Sequence, residues 1–369
     1  MLLTIIVFIL ILGLLIFAHE LGHFISAKKA GVRVEEFGFG FPPRIFGFKK
    51  GETIYSLNLI PVGGFVKIFG EDPPSPEATE GGRRSKSLRA FYNKPIWQRA
   101  IILVMGVIMN LFVAGILLSI VHGIGMPSIV DSGQEANYRN VQIQIVETAK
   151  NSPAEKAGIK IGDSILSLTY KSEKIEVNEI EDVQKFVAFH AGQEITMQIK
   201  RGNEILNLNI IPRVNPPKEE GALGIAMAKT GLISYPWYLA VLKGFETLGK
   251  MFVAMIGLFW LLIKNLILKG TMIGEVAGPV GIFSLTSQFV KLGWIYVLQF
   301  AAILSINLAI LNALPFPALD GGRLLFLLIE KIKGKPIKFR TERVANTLGF
   351  AILIGLMIIV TLRDVIKLF

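Results

Sequence analysis

The sequence predicts a polytopic α-helical membrane protein with four transmembrane helices, a membrane-associated β-hairpin region on the cytoplasmic side, and an inserted extracytoplasmic α+β domain. Three observations carry this prediction. The 369 residues are 52% hydrophobic and 18% charged, with mean hydropathy +0.54, whereas an average soluble chain is about 25% charged. Leu2–Ala27, Ile101–Val121, Ile295–Leu314 and Leu348–Leu362 with its flanks meet the ~20 apolar residues that a membrane helix needs. Residues 123–237, by contrast, balance their acids and bases and carry turn and strand signals. Disorder, fibrous repeats and nucleic-acid binding do not fit this composition. The chain has no Cys, which excludes disulfides, thiolate zinc sites and a Cys nucleophile.

The first helix, residues 1–27, has no Lys or Arg before Lys28 and so lacks the basic start of a secretory signal. Lys28, Lys29 and Arg33 follow it at once, so the positive-inside rule puts the N-terminus outside and residues 28–98 in the cytoplasm. Within that loop, 36–43 and 52–61 alternate like strands. Gly38 and Gly40 leave room for a second backbone, making an open strand edge there a candidate substrate site by strand addition. Glu71–Arg84 reads as a Pro/Gly/charge-rich linker. A second helix, 99–122, returns outward. Residues 231–293 contain the apolar stretch Tyr238–Leu268, interrupted by Lys243, Glu246, Lys250 and Lys264; it is expected on the outer face or re-entrant from it. A third helix occupies 294–322. Residues 323–345 form a basic cytoplasmic loop with Arg323, Lys331, Lys333, Lys335, Lys338, Arg340 and Arg343. A fourth helix, 346–367, leaves the C-terminus outside.

The inserted domain, 123–230, is built from short signals. Ser152 caps a one-turn helix with Pro153 at its first position and Gly158 as its stop. Ser164–Leu168 reads as a strand, and Asn178 as the cap of a helix reaching His190. Glu194–Lys200 and Ile205–Ile211 form a hairpin, and Gly221–Met227 a last strand. The Ser152–Gly158 run followed by Gly162-Asp163, with Leu223-Gly224-Ile225 last, resembles a bacterial PDZ domain in its permuted form. That resemblance implies a groove between the last strand and the 178–190 helix. There Leu223, Gly224 and Ile225 would receive a C-terminal peptide through its carboxylate.

His19-Glu20-Leu21-Gly22-His23 carries the chemistry. Helix positions i and i+4 lie about 40° apart on one face, so both imidazoles can bind one zinc while the neighbouring Glu20 reaches water at the metal as general base. Ionisable groups inside a membrane helix are costly and functional by default. Zinc requires a third ligand, and His122, Glu246, Glu275 and Asp320 are the candidates. His19 and His23 lie ~7–13 Å from Lys28 by helix rise, just below the cytoplasmic surface. His122 and Glu246 fall at the outer surface, and Glu275 lies in an undefined stretch. Asp320 follows the third helix and precedes the basic loop, at the matching depth. Pro315 and Pro317 break the backbone before it, which membrane proteins tolerate where a cavity is lined.

Taken together, His19–His23, the Asn312–Gly322 run NALPFPALDGG, Phe91–Ala100 (FYNKPIWQRA), Gly106–Asn110 and Gly278–Ile282 resemble the bacterial site-2 protease family, in its regulator of sigma-E protease branch. The resemblance spans nearly the whole chain. It implies zinc on His19, His23 and Asp320, Glu20 as base, Asn312 on the substrate backbone or oxyanion, and Asn110 near substrate. It further implies a metalloendopeptidase of the bacterial cytoplasmic membrane that cuts single-pass membrane proteins of the anti-sigma factor or remnant signal peptide type. Expected partners are those substrates and membrane lipid. Two positions depart from the family pattern, Val107 in place of Pro and Arg323 in place of His, and only one PDZ-like domain is present. The alternatives are a non-catalytic PDZ membrane scaffold, which leaves the buried HExxH unexplained, and a metal transporter, which needs a path rather than one site at one depth.

Overall fold

The computed structural model describes residues 1–71, 87–130, 135–202, 204–217, 220–269 and 277–366. Most of the expected linker 71–84, and Glu275, lie outside them. The chain divides into two units: Met1–Leu118, Gly244–Ser287 and Gln299–Phe369 form the first, and Ser119–Lys243 with Gln288–Leu298 the second.

In the first unit, α1 (Leu2–Lys29) is an unbroken apolar run that ends on Lys28 and Lys29, cations that suit a helix C-terminus. Two long bent strands follow, β1 (Val34–Lys50) and β2 (Thr53–Ile68), paired antiparallel. Their bends give β1 neighbours on both sides. Phe37, Gly38 and Phe39 face Val66, Phe65 and Gly64 on one side and Tyr55, Ser56 and Leu57 on the other. Gly38 and Gly40 therefore do not line an open edge. Both are buried, and a Cβ would meet the Phe65 ring at 2.5 Å from Gly38 and the Ile60 carbonyl oxygen at 2.5 Å from Gly40. The glycines serve the sheet's own close packing. Among the described residues, the side of Gly64–Ile68 facing away from β1 has no strand partner.

The helix α2 (Ile96–Ile124) starts in this unit and crosses to the second. Ala27, Val34, Ile68, Phe91, Ile102 and Leu103 form a buried cluster that ties α1, the hairpin and α2 together.

The second unit contains the inserted domain: β3 (Met126–Ile129), β4 (Arg139–Thr148), α3 (Pro153–Lys156), β5 (Ser164–Tyr170), β6 (Glu173–Glu176), α4 (Ile180–Phe189), β7 (Ile195–Arg201), β8 (Glu204–Ile210) and β9 (Ile225–Ile233). The sheet order is β3-β9-β4-β5-β7-β8, with β6 beside β5. Ile145, Ile165, Leu168, Phe186, Met197 and Ile199 form its core. Ser152 caps α3 as expected, accepting from the Glu155 N–H at 3.1 Å. Two expectations shift. Glu179 and not Asn178 caps α4, with Asp182 returning the bond in a capping box. The last strand begins at Ile225, because Gly221 and Gly224 close a turn through a 3.0 Å backbone bond.

Among the described residues, five helices complete the chain: α5 (Trp237–Lys269), α6 (Pro279–Leu292), α7 (Trp294–Ala313), α8 (Asp320–Lys333) and α9 (Phe339–Ile366). Among the described residues, five helices are long and apolar enough to cross a membrane, against the four expected; the additional one is Trp237–Asn265 in α5. Its charges sit on one side of a continuous helix with no Pro to break it. The third apolar stretch ends at Ala313, and the basic loop is largely helical, belonging to α8 and the start of α9.

Candidate metal centre

The three side chains that the sequence brings into question meet in the first unit. His19 Nε2 lies 2.9 Å and His23 Nε2 3.3 Å from Asp320 Oδ2, and the two imidazole nitrogens are 3.1 Å apart. Both histidines are 6% exposed. Donor atoms on a tetrahedral zinc at ~2.0–2.1 Å are about 3.3 Å apart, so the observed triangle has the size of one face of that tetrahedron. Asp320 Oδ2 is buried and completes no well-directed hydrogen bond despite its two neighbours. Three donor atoms this close together are what a shared cation requires. This is the only His/Cys/Asp/Glu cluster of three or more with such geometry among the described residues. Two neutral imidazoles and a carboxylate match zinc's preferred donors and leave a fourth position open.

The surrounding backbone explains the glycines. A Cβ on Gly106 would fall 2.5 Å from His23 Nε2 and 2.7 Å from His19 Cε1, and one on Gly22 would fall 2.3 Å from the Met105 carbonyl oxygen. α2 thus passes directly against the face of α1 that carries the histidines. Asp320 opens α8, where the helix N-terminus favours a carboxylate. Gly321 and Gly322 let that helix start against the turn before it: added Cβ atoms would lie 2.2 Å from the carbonyl oxygens of Leu314 and Phe316 respectively. The turn itself includes Ala318 at φ +75°, whose N–H donates to Asn346 Oδ1 at 3.1 Å.

The remaining ring nitrogens are also engaged. His23 Nδ1 lies 2.8 Å from the Ile102 carbonyl oxygen, which fixes the tautomer that frees Nε2. His19 Nδ1 faces the side-chain amide of fully buried Asn110 at 3.3 Å, while Asn110 Oδ1 has no partner. Rotating that amide by half a turn, a change that hydrogen-bond chemistry decides, lets Oδ1 accept the His19 Nδ1–H and satisfies both groups. Asn110 therefore touches a histidine and not an open substrate channel. Ser305 on α7 donates to the Asn110 carbonyl oxygen at 2.8 Å. Asn312 Nδ2 lies 3.4 Å from His19 Nε2, at the rim of the donor triangle. Glu20 turns toward β2, where its Oε2 accepts the Val66 N–H at 3.0 Å. The Ile102 carbonyl, the Val66 N–H and Ser305 are contributions that sequence reasoning missed. Two are backbone groups with no residue-type signature, and Ser305 looks like any small residue in a helix interface.

In the second unit, Leu223 is a 3% exposed core residue. The Gly224 N–H is committed to Gly221 O, and its carbonyl accepts from Ala149 N at 2.8 Å. That N–H is not free for a carboxylate. Among the described residues, Ile225, Ala226 and Met227 pair with β4 on one side only, because β3 takes Thr230–Ile233. The open side of 225–228 lies by α4, to whose cap Glu179 the neighbouring Lys229 is bonded at 2.5 Å.

A buried His-His-Asp donor set beside a glutamate, at the contact of apolar helices, defines a membrane-embedded metallohydrolase. The chain belongs to peptidase family M50, the site-2 proteases, whose family model matches residues 7–356. It is similar to the regulator of sigma-W protease RasP of Bacillus subtilis strain 168, at 31% identity over 99% of each chain. It is also similar to the zinc metalloproteases RasP of Bacillus licheniformis and Shouchella clausii, at 32% and 30% identity, each over 99% of both chains. The chain is accordingly a zinc metalloprotease and not a scaffold or a transporter.

Proposed function

We propose that this protein is an intramembrane endopeptidase that hydrolyses a peptide bond in the transmembrane segment of single-pass membrane proteins. His19, His23 and Asp320 hold the zinc. Bound there, zinc supplies a Lewis acid that acidifies water and polarises a carbonyl. The observation that carries the proposal is the donor triangle of His19, His23 and Asp320, one helical position from Glu20. With Oε2 anchored on the Val66 N–H, Glu20 keeps a fixed orientation, and its other oxygen takes the proton of the attacking water. Water oxygen bonds to the carbonyl carbon, the C–N bond breaks, and Glu20 returns the proton to the leaving nitrogen. Asn312 donates its amide N–H to the carbonyl oxygen as negative charge develops. Asn110 holds His19, a positioning role.

A helical substrate shields its peptide bonds, so it must be unwound first. The unpaired side of Gly64–Ile68, whose Val66 N–H reaches Glu20, offers backbone groups that an extended segment can pair with. That is the substrate edge we assign, in place of Gly38 and Gly40. We further assign α5 and α6 as a re-entrant pair: α5 enters from the outer face and α6 returns, so that α7 starts outside and delivers Asp320 to the histidines. Phe283 of α6 packs edge-on against Phe8 of α1 with ring centroids 5.6 Å apart, which supports α6 at membrane depth. The inserted domain, read as PDZ-like, then lies outside the cytoplasmic membrane together with both termini. The sigma-W regulator among the relatives supports an anti-sigma factor as substrate; a remnant signal peptide has the same single-pass chemistry.

The test is cleavage of a labelled single-pass helix by purified chain in proteoliposomes. Cleavage inside the hydrophobic segment, abolished by chelation and restored by zinc, is expected. Cleavage confined to soluble peptides would overturn the intramembrane assignment. Labelling of Leu268→Cys from the cytoplasmic side alone, clean in a chain with no native thiols, would sink the re-entrant arrangement.

A further inference from the structure

The helix α8 has two working ends. Asp320 opens it, and its last turns carry Lys331 and Lys333. One face is fixed to the protein: Leu327 is buried, and Glu330 is bidentate with Arg99 of α2, at 3.1 Å and 2.6 Å. The other face is not covered. Leu328 is 53% and Ile332 76% exposed, and Trp97 beside them on α2 is 62% exposed. Between the two helices runs a groove of about 550 Å³ lined by Ile96, Trp97, Ala100, Leu324 and Leu328, with Lys331 as its charged wall.

We propose that this groove binds an anionic phospholipid, with an acyl chain along Trp97 and Leu328 and the phosphate on Lys331. Depth argues for a lipid: α2 is a candidate membrane span from Ile96 onward, and a Trp at the start of a span marks the bilayer interface. Amphipathicity argues the same way, since a helix with an apolar stripe bordered by lysines rests in that interface. Charge selects the headgroup. Lys331–Arg343 holds six basic residues and one acid, Glu342, and Glu330 just before it is neutralised by Arg99. A cluster of this size attracts anionic and not zwitterionic lipid. The site stands independently of the peptidase reading, because none of its residues belongs to the donor set.

The test uses the full chain in nanodiscs of phosphatidylcholine doped with phosphatidylglycerol, with bromine on the acyl chains of one or the other lipid. Trp97 fluorescence is obtained as the difference between wild type and Trp97→Phe. Preferential quenching by brominated phosphatidylglycerol is expected. Lys331→Gln should weaken that preference about fivefold, from the roughly 1 kcal/mol that a basic residue contributes near an anionic surface, whereas Lys156→Gln in the inserted domain should not change it. Soluble glycerol phosphate should fail to compete, which separates the lipid from its free headgroup. Equal quenching by both lipids, or a preference untouched in Lys331→Gln samples with wild-type circular dichroism, would overturn the proposal. So would a Trp97 shielded from both lipids in a dimeric sample, which would assign the groove to a second copy.

Discussion

Replacing Gly106 by Ala adds one methyl group at the metal centre and little elsewhere. The added carbon would sit 2.5 Å from His23 Nε2 and 2.7 Å from His19 Cε1, against ordinary contact distances of about 3.5–4.0 Å. Both imidazoles must therefore retreat by roughly 1 Å, and neither can do so freely. His23 is held by the Ile102 carbonyl at 2.8 Å and His19 faces Asn110 at 3.3 Å. Disturbing partners that merely orient ligands costs 10–100-fold in metal affinity, as an order of magnitude. Displacing two ligands at once should cost at least about 100-fold. The backbone pulls the other way, since Ala in a helix interior is favoured over Gly by about 1 kcal/mol. Overpacking costs about 1–3 kcal/mol, so the apo protein should stay folded and melt at or modestly below wild type while zinc binding, measured by competition with a chromophoric chelator, collapses. A folded Gly106→Ala chain that binds zinc with wild-type affinity would refute the donor geometry, because the methyl group and the two imidazoles cannot share that space.

Asp163 is 1% exposed and bidentate with Arg201, at 2.7 Å and 2.6 Å, a pairing that also raises the arginine's pKa. Asp163→Ala should cost the inserted domain about 3–5 kcal/mol, as breaking a buried pair does, read from chemical denaturation, with zinc retained. Asp182, half-buried in its capping box, accepts the Glu179 and Asn178 N–H groups, which hold its carboxyl below the usual 3.8. A depressed folded pKa stabilises above the unfolded value and is lost as pH falls through the folded one. Asp182→Asn should thus lower the melting temperature at pH 7, and the difference should shrink toward pH 3. Replacing residues 128–228 by a short linker should leave zinc bound and make substrates with intact ectodomains cleavable if the domain excludes by size. Slower cleavage of trimmed substrates would instead indicate capture of their new C-termini.

Much of the metal centre was legible because its logic is local. Four-residue spacing on a helix fixes His19 and His23 relative to each other, and Asp320 stood out because it follows an apolar stretch and precedes a basic run. The orienting groups were not legible, since the Ile102 carbonyl and Val66 N–H are backbone atoms that any residue would present. The Gly38–Gly40 pair was misread for a related reason. Glycine announces a close approach but not which backbone approaches, and here β1 meets both halves of β2. The Tyr238–Leu268 stretch divides along the same line. Its charges argue for a surface segment, yet no Pro breaks it, and the helix runs through from Trp237 to Lys269. In the inserted domain the caps and turns marked most elements, and the α4 cap moved by one residue because Asp182 can return a bond to Glu179.

The account's central claim is that one buried donor set holds zinc and that Glu20 moves the proton beside it. Zinc content and cleavage of a labelled transmembrane substrate, measured on the same preparation of Glu20→Gln, address both halves at once. The prediction is one zinc per chain and no cleavage, whereas His19→Ala, His23→Ala and Asp320→Ala lose both. Glu20→Gln that retains zinc and cleaves at a rate near wild type would contradict the assignment of the base. Asp320→Ala that retains stoichiometric zinc would contradict the donor set.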